Sequence, residues 1–332
     1  MSETLDLPSP PVYFAPRSGR YTVAPGLRTL EPDNAQSSVD DALFQIDREF
    51  PRFRDNVLKC RAERFEKYVC GNPAEFPEIA AAISRLIVER LIFEHPAFFR
   101  LESYPDGGGS LFCRLTGETL VFDDRMRLRA ADRPPFGPPY AHLADALGCQ
   151  VPEDWAIVRH GPAGEDRILF LHLCAPSHWA AEEKIGKDFL RTHAPVPHIE
   201  KVSAAAPGLI DTVLTRGPFQ RVSWGIDFDD RLNAHPVPPP GRETVAALRA
   251  RFDPEHSPVF LRVERQVLWG LPLVDAYLFT IRVYRYDARA LCADPEHRTA
   301  LLSALHSMSN ETRLYKGIAS LFPALIRALE TP

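Results

Sequence analysis

No Cys-x-x-Cys pair and no Cys-x-x-Cys-His run occurs in these 332 residues; Cys60, Cys70, Cys113, Cys149, Cys174 and Cys292 stand singly. This spacing speaks against covalent c-type haem, an iron–sulfur cluster and a structural zinc site, and reads as reduced, packed thiols. Long apolar runs are missing too: the richest, 79–93, is broken by Arg85, Glu89 and Arg90, so none is fit to span a bilayer. The acidic start, Met1 to Asp6, has no apolar stretch of signal-peptide type, which sets a cytoplasmic location as the expectation. Charge of one sign is also scarce. With 39 basic against 44 acidic residues and a formal charge of -5, no extended basic surface favours nucleic acid or anionic lipid. Asp106-Gly107-Gly108-Gly109 is followed by neither a G-K-[ST] nor a G-x-G-x-x-G pattern, so it reads as a turn. No flavin or nicotinamide fingerprint, solenoid repeat or low-complexity tract is present.

What is present is a globular chain, 45% hydrophobic, long enough for one large or two modest domains. Proline and turn residues over 8–33 predict an arm lying on the surface. Leu43, Ile46, Phe50, Val57, Phe65 and Val69 predict amphipathic helices interrupted at Pro51. Residues 77–94 predict a further helix, opened by Pro77 and ended before Pro96. Residues 99–104 and 111–115 flank the glycine turn as a hairpin. Strand-like runs follow at 156–159, 167–174, 219–228, 259–269 and 276–286, with a helix over 243–252. The last two strands alternate. Val259, Leu261, Val263 and Val267 point one way, and Arg262, Glu264 and Gln266 the other. Likewise Tyr277, Phe279, Ile281 and Val283 oppose Thr280, Arg282 and Tyr284. Joined by the short 270–275 segment, the polar sets form either one charged pocket wall or a solvated outer face.

Ser177 is placed to cap a helix starting near Trp179, with Glu182 and Glu183 in its early turns. Ile185 and Phe189 share a face; Lys184, Lys187 and Arg191 form a basic stripe at steps of three and four. Thr192-His193-Ala194-Pro195-Val196-Pro197-His198 stops the helix, because residues before proline are driven toward extended geometry. A histidine fixed there suits metal ligation, proton transfer or a plain capping hydrogen bond. His193 and His198, split by a rigid turn with no acidic ligand between them, make a poor His-His-carboxylate site.

The runs Pro176-Ser177-His178-Trp179-Ala180-Ala181-Glu182-Glu183-Lys184-Ile185-Gly186-Lys187 and His193-Ala194-Pro195-Val196-Pro197 resemble the signature of the haem-dependent oxidative N-demethylase family. Gly26-Leu27-Arg28-Thr29-Leu30, Glu165-Asp166, Arg221-Val222-Ser223-Trp224, Leu261 to Gln266, Leu278 to Tyr284 and Tyr315-Lys316-Gly317-Ile318 resemble further family elements, in the family's order. Gly164 stands where the family has glutamine. The resemblance implies an α+β fold: a PAS-like antiparallel sheet flanked by helices, with an N-terminal arm and helical additions. One domain over 1–332 is expected, with the arm at 1–38, a helical part at 39–98, the sheet core at 99–290 and C-terminal helices at 291–332.

The same resemblance implies non-covalent haem b and oxidation of a small N-methylated amine by O2, releasing formaldehyde. Electrons from NADPH would arrive through FMN and iron–sulfur groups on a separate reductase, and a homo-oligomer is expected of a PAS-type domain. A non-catalytic PAS-like haem sensor or carrier is the alternative. Carried onto this chain, the resemblance makes His193 the axial metal ligand, with His160 and His172 as alternatives. Arg221, Arg262 and Arg282 become candidates for the haem propionates, with Lys184, Lys187 and Trp224 as further cofactor contacts. Glu264 and Tyr284 become candidates for amine binding or proton delivery.

Overall fold

The computed structural model describes residues 6–132, 136–161 and 166–330. Gly164 and Glu165 therefore lie outside the described residues, as do 1–5, 133–135, 331 and 332. Among the described residues, eleven strands form two antiparallel sheets. In chain order the strands are β1 (Arg28–Thr29), β2 (Val69–Cys70), β3 (Phe99–Ser103), β4 (Gly109–Cys113), β5 (Glu118–Phe122) and β6 (Leu128–Ala131). Next come β7 (Asp154–His160), β8 (Asp166–His172), β9 (Phe219–Asp227), β10 (Phe260–Leu271) and β11 (Ala276–Asp287). The large sheet runs β1-β9-β10-β11-β7-β8-β2, and β3-β4-β5-β6 form a separate small sheet. The 99–290 span carries the small sheet and β7 to β11 of the large one, while β1 and β2 lie before it.

The helices are α1 (Phe50–Tyr68), α2 (Pro77–Glu94), α3 (Leu143–Gly148), α4 (Ala181–Lys184), α5 (Phe189–His193) and α6 (Glu200–Ala204). They continue with α7 (Ala206–Arg216), α8 (Val245–Ala250), α9 (Ala288–Cys292), α10 (Pro295–His306), α11 (Asn310–Tyr315) and α12 (Phe322–Glu330). The architecture is α+β. Among the described residues, no helix is long and apolar enough to cross a membrane.

Pro51 does not interrupt a helix; it sits in the first turn of α1, where its missing N–H would have had no partner. The apolar residues before it, Leu43, Phe44 and Ile46, are buried in an irregular segment beneath the large sheet. The hairpin expected around the glycine turn is present as β3–β4.

Cross-strand partners lie on the same face, so register sorts the large sheet's residues. Its front face carries Arg221 opposite Gln266, Ser223 opposite Glu264, and Glu264 in turn opposite Val283. Its rear face carries Trp224 opposite Val263, Val263 opposite Tyr284, and Arg265 opposite Arg282. The front is packed by Ala181, Phe189, Ile210, Val213 and Leu214, from α4, α5 and α7. The rear joins two cores: one with Leu43, Ile83 and the small sheet's Leu111 and Leu120, the other with Leu301, Leu305 and Leu325. Each such large side chain, fully buried, contributes roughly 1.5–3 kcal/mol, so the rear face carries much of the fold's stability.

The chain crossing between β8 and α5 is anchored at Asp227 in β9. His178 Nε2 lies 2.7 Å from Asp227 Oδ1, and Arg262 Nη1 lies 3.4 Å from Oδ2. Burial pushes this carboxyl up, but the hydrogen bond from His178 and the charges of Arg262 and His178 overturn that and hold it at about 2. A carboxyl depressed on folding adds stability above its unfolded pKa and loses it as pH falls through the folded value. The pair is therefore expected to contribute about 2–3 kcal/mol above pH ~4 that disappears toward pH ~2. Urea unfolding of wild type and Asp227→Asn across that window checks this: the variant should lack that part of the acid dependence, and identical profiles would refute it.

Candidate functional site

Residues in the middle of a covered sheet are normally fully buried. On the front face, Phe219, Arg221, Ser223, Glu264, Gln266, Leu268 and Phe279 instead remain partly exposed. The elements above them do not close fully over this strip, and we take it as the candidate cleft. Trp179, Ile185 and Phe189, also partly buried, pack over the same apolar floor as Leu268 and Phe279.

One side of this cleft is the segment between β8 and α6. A single charged helix from Trp179 onward is not what forms there; α4 ends at Lys184 and α5 begins at Phe189. Gly186, at φ +76°, turns the chain between them. The turn is pinned to β8: Gly186 N–H donates to the Ile168 carbonyl at 2.8 Å, and Ile168 N–H to the Lys187 carbonyl at 3.0 Å. Ser177 caps no helix, since its hydroxyl oxygen accepts from Arg262 Nε at 2.7 Å. The expected basic stripe is broken with the helix. Asp188 caps α5 by accepting from Arg191 N–H at 2.6 Å, and Asp166 accepts from Phe189 N–H at 2.7 Å. Lys184 Nζ donates to the Thr192 carbonyl at 2.8 Å, closing the other end of α5.

These restraints hold His193. Its Nδ1 lies 2.8 Å from the Phe189 carbonyl oxygen, and the two rings sit 4.2 Å apart. A carbonyl only accepts, so Nδ1 carries the proton and Nε2 keeps a free lone pair. Burial lowers the pKa of His193, and the neighbouring charges of Arg221 and Lys184 lower it further against the effect of the Phe189 bond. The imidazole is neutral at pH 7. His193, Lys184 and Arg221 thus come from three elements and lie near enough for the two cations to act on the imidazole.

Arg221 is largely buried, and its Nε has no hydrogen-bond partner. Burial pulls its pKa down, opposed by Glu264 and Tyr21. Glu264, one cross-strand pair along, is oriented by Gln266 Nε2, donating at 2.8 Å, and by the Ser223 hydroxyl, donating at 3.2 Å to the same oxygen. Lys316 donates to the Trp224 carbonyl at 2.8 Å; burial brings its pKa down to about 8 despite Glu264 and Asp227. Ser223 and Lys316 lie within the Arg221–Trp224 and Tyr315–Ile318 runs, but neither is a site candidate from sequence. Ser223 is visible in hindsight as the cross-strand partner of Glu264, but Lys316 arrives from a distant loop.

The other sequence candidates lie elsewhere. Arg282 and Tyr284 do not share a wall with Glu264; the register turns them to the rear face. There Arg282 binds both carboxylate oxygens of Asp47, at 3.0 and 2.8 Å, and the Tyr284 hydroxyl donates to Gln45. Trp224 is also on the rear face, edge-on to Tyr21 at 5.6 Å. Arg262 is on the front but is buried and fully engaged, donating to Ser177, Asp227 and the carbonyls of Ala175, Pro176, Arg231 and Leu232. His160 faces Asp166 at the far end of β7, separated from β9 by β11 and β10. His172 is sealed in the interior at 0% exposure, leaving no open side for a macrocycle.

The cleft and its histidine lie inside the span recognised by comparison with known families. A family model described as haem-dependent oxidative N-demethylase, alpha subunit-like, matches residues 34–326. That match takes in every strand of both sheets except β1, together with α5 and all but the end of the C-terminal helices, and the chain therefore belongs to the haem-dependent oxidative N-demethylase, alpha subunit-like family.

Proposed function

We propose that this chain is the PAS-like, haem-binding component of a cytoplasmic monooxygenase that removes a methyl group from a small amine. The observation that carries the reading is His193: neutral, its proton fixed on Nδ1 by Phe189, its Nε2 free, beside a buried Arg221 lacking a hydrogen bond at Nε. A ligand histidine needs its second nitrogen held in this way, so that the tautomer and ring orientation are set in advance. Haem b fits this donor set. His193 Nε2 would ligate the iron, and Arg221 and Lys184 would meet the propionates, where a guanidinium matches a carboxylate bidentately. Lys187, near enough to lower the pKa of Lys184, would add positive charge. Trp179, Ile185, Phe189, Leu268 and Phe279 offer the apolar surface a porphyrin requires.

When bound, haem supplies the redox-active iron that O2 reduction needs. Glu264 would bind the substrate's ammonium, since Gln266 and Ser223 fix its carboxylate and no described cation forms an ion pair with it. Lys316 Nζ, with a pKa near 8, would hold a proton close to Glu264. In the overall change, one oxygen atom of O2 enters a C–H bond of the N-methyl group, giving an N-hydroxymethyl amine. The other oxygen atom takes up two electrons and two protons and leaves as water. The C–N bond of this carbinolamine then breaks, the hydroxyl proton passing to nitrogen, and the products are the demethylated amine and formaldehyde. The two electrons must come from outside this chain, which the alpha-subunit description supports. They are expected from NADPH by way of FMN and iron–sulfur partners.

The test is formaldehyde release from dimethylamine by haem-loaded protein with a supplied reductase. Haem binding without formaldehyde from any small methylamine would leave the sensor or carrier reading. Glu264→Gln is expected to lower kcat/KM by on the order of 100-fold or more with an unchanged Soret band. Unchanged kinetics would remove Glu264 from the site.

A further inference from the structure

In the interior, the fold gathers a second set of ligating side chains. His172 ends β8 at 0% exposure, and neither of its ring nitrogens has a hydrogen-bond partner. It is packed tightly: a Cβ on Gly148 would lie 2.6 Å from the ring, and Trp155 lies parallel to it at 6.4 Å. A neutral imidazole must keep one N–H, and leaving that donor unpaired in the interior costs about 1–3 kcal/mol. Two triads share this histidine, Asp154–His172–Cys174 and Asp145–Cys149–His172, each wholly buried with its ligand atoms within 4.8 Å of one another. Four-coordinate zinc with nitrogen, sulfur and oxygen ligands at about 2.0–2.3 Å places ligand atoms roughly 3.3–3.8 Å apart, so modest closure suffices.

Charge separates the triads. Arg61 holds both oxygens of Asp145 at 2.8 Å each, so a cation there would face a guanidinium. Asp154 accepts only backbone N–H groups, from Cys174 at 2.6 Å and Ala175 at 2.8 Å, and no described cation forms an ion pair with it. Those two bonds also hold the carboxylate beside Cys174. We infer that Asp154, His172 and Cys174 bind one borderline-soft divalent cation of the zinc class, as a structural ion joining β7 to the end of β8. Binding converts the Cys174 thiol to a thiolate and releases its proton to solvent. The ion satisfies a ring nitrogen of His172 and neutralises the Asp154 carboxylate. The ligands lie 18 and then two positions apart in sequence, which is why no Cys-x-x-Cys motif announces them.

The experiment uses the full chain, with any affinity tag removed, grown with zinc and dialysed. Elemental analysis should find about one zinc per chain. Exchange for Co2+ in the wild type should give a thiolate-to-cobalt charge-transfer band and intense tetrahedral ligand-field bands. Both should disappear in Cys174→Ser and persist in Cys149→Ser. Folded wild type with less than about a tenth of an equivalent of metal, and no cobalt–thiolate band, overturns the site. Loss of the bands in Cys149→Ser with retention in Cys174→Ser moves the ion to the other triad and overturns the assignment. The wild-type spectrum needs no variant, so it decides even where the substitutions unfold the chain.

Discussion

His193→Gly is expected to lose haem while keeping its fold. Position 193 closes a helix of five residues, is partly exposed, and contributes one hydrogen bond to the Phe189 carbonyl. Removing it takes nothing from the rear-face cores that hold the sheet. Its Nε2, however, is the lone pair to which the iron would bind. Loss of a mere orienting partner of a metal ligand costs about 10–100-fold in affinity, so loss of the ligand itself should exceed about 100-fold. A hemin titration followed at the Soret band reads this, with urea unfolding as the control. Added imidazole should restore the band by occupying the space the side chain vacates. A variant that binds hemin as tightly as wild type would remove His193 as ligand.

Arg262→Met is expected to fail in the opposite way, as a fold rather than as a haem site. The guanidinium is 3% exposed and gathers the carbonyls of Ala175, Pro176, Arg231 and Leu232 with the side chains of Ser177 and Asp227. It thereby clasps the end of β8, β9 and the loop beyond β9 together. Methionine fills much of the volume but leaves the Ala175, Arg231 and Leu232 carbonyls without that donor and Asp227 with His178, while the Pro176 carbonyl keeps the Ala234 N–H at 3.1 Å. Breaking a buried charge pair from one side costs about 3–5 kcal/mol, and the orphaned carbonyls keep the loss at the upper end. The urea midpoint should fall accordingly, while the protein that remains folded binds hemin with near-normal affinity. An unchanged midpoint with weakened hemin binding would return Arg262 to the haem pocket.

These two arginine and histidine positions mark what the amino-acid sequence reveals. Alternation in β10 and β11 makes both strands legible, and Pro77 and Pro96 bracket α2 closely. Alternation separates the two faces of each strand, but it does not say which face of one strand matches which face of the next. Pairing Glu264 with Val283 rather than with Arg282 or Tyr284 depends on the path of the 272–275 turn. For the same reason Arg282 reads as a pocket residue from sequence. Its partner, Asp47, lies 235 positions away in an irregular segment that carries no periodic signal. The helix break at Gly186 is equally hidden, because local spacing favours a continuous helix and only the contact with Ile168 on β8 overrides it. His193 is legible because the proline turn that fixes it is local, and Glu264 because its strand alternates. Lys316, Ser223 and the Asp154–His172–Cys174 cluster acquire their partners through tertiary contacts, which local sequence does not disclose.

Crystals of haem-loaded protein, measured on either side of the iron absorption edge, test the account most directly. One strong anomalous peak per chain is expected in the front-face cleft, about 2 Å from His193 Nε2. An iron peak beside His160, or on the rear face near Arg282 and Tyr284, would contradict it.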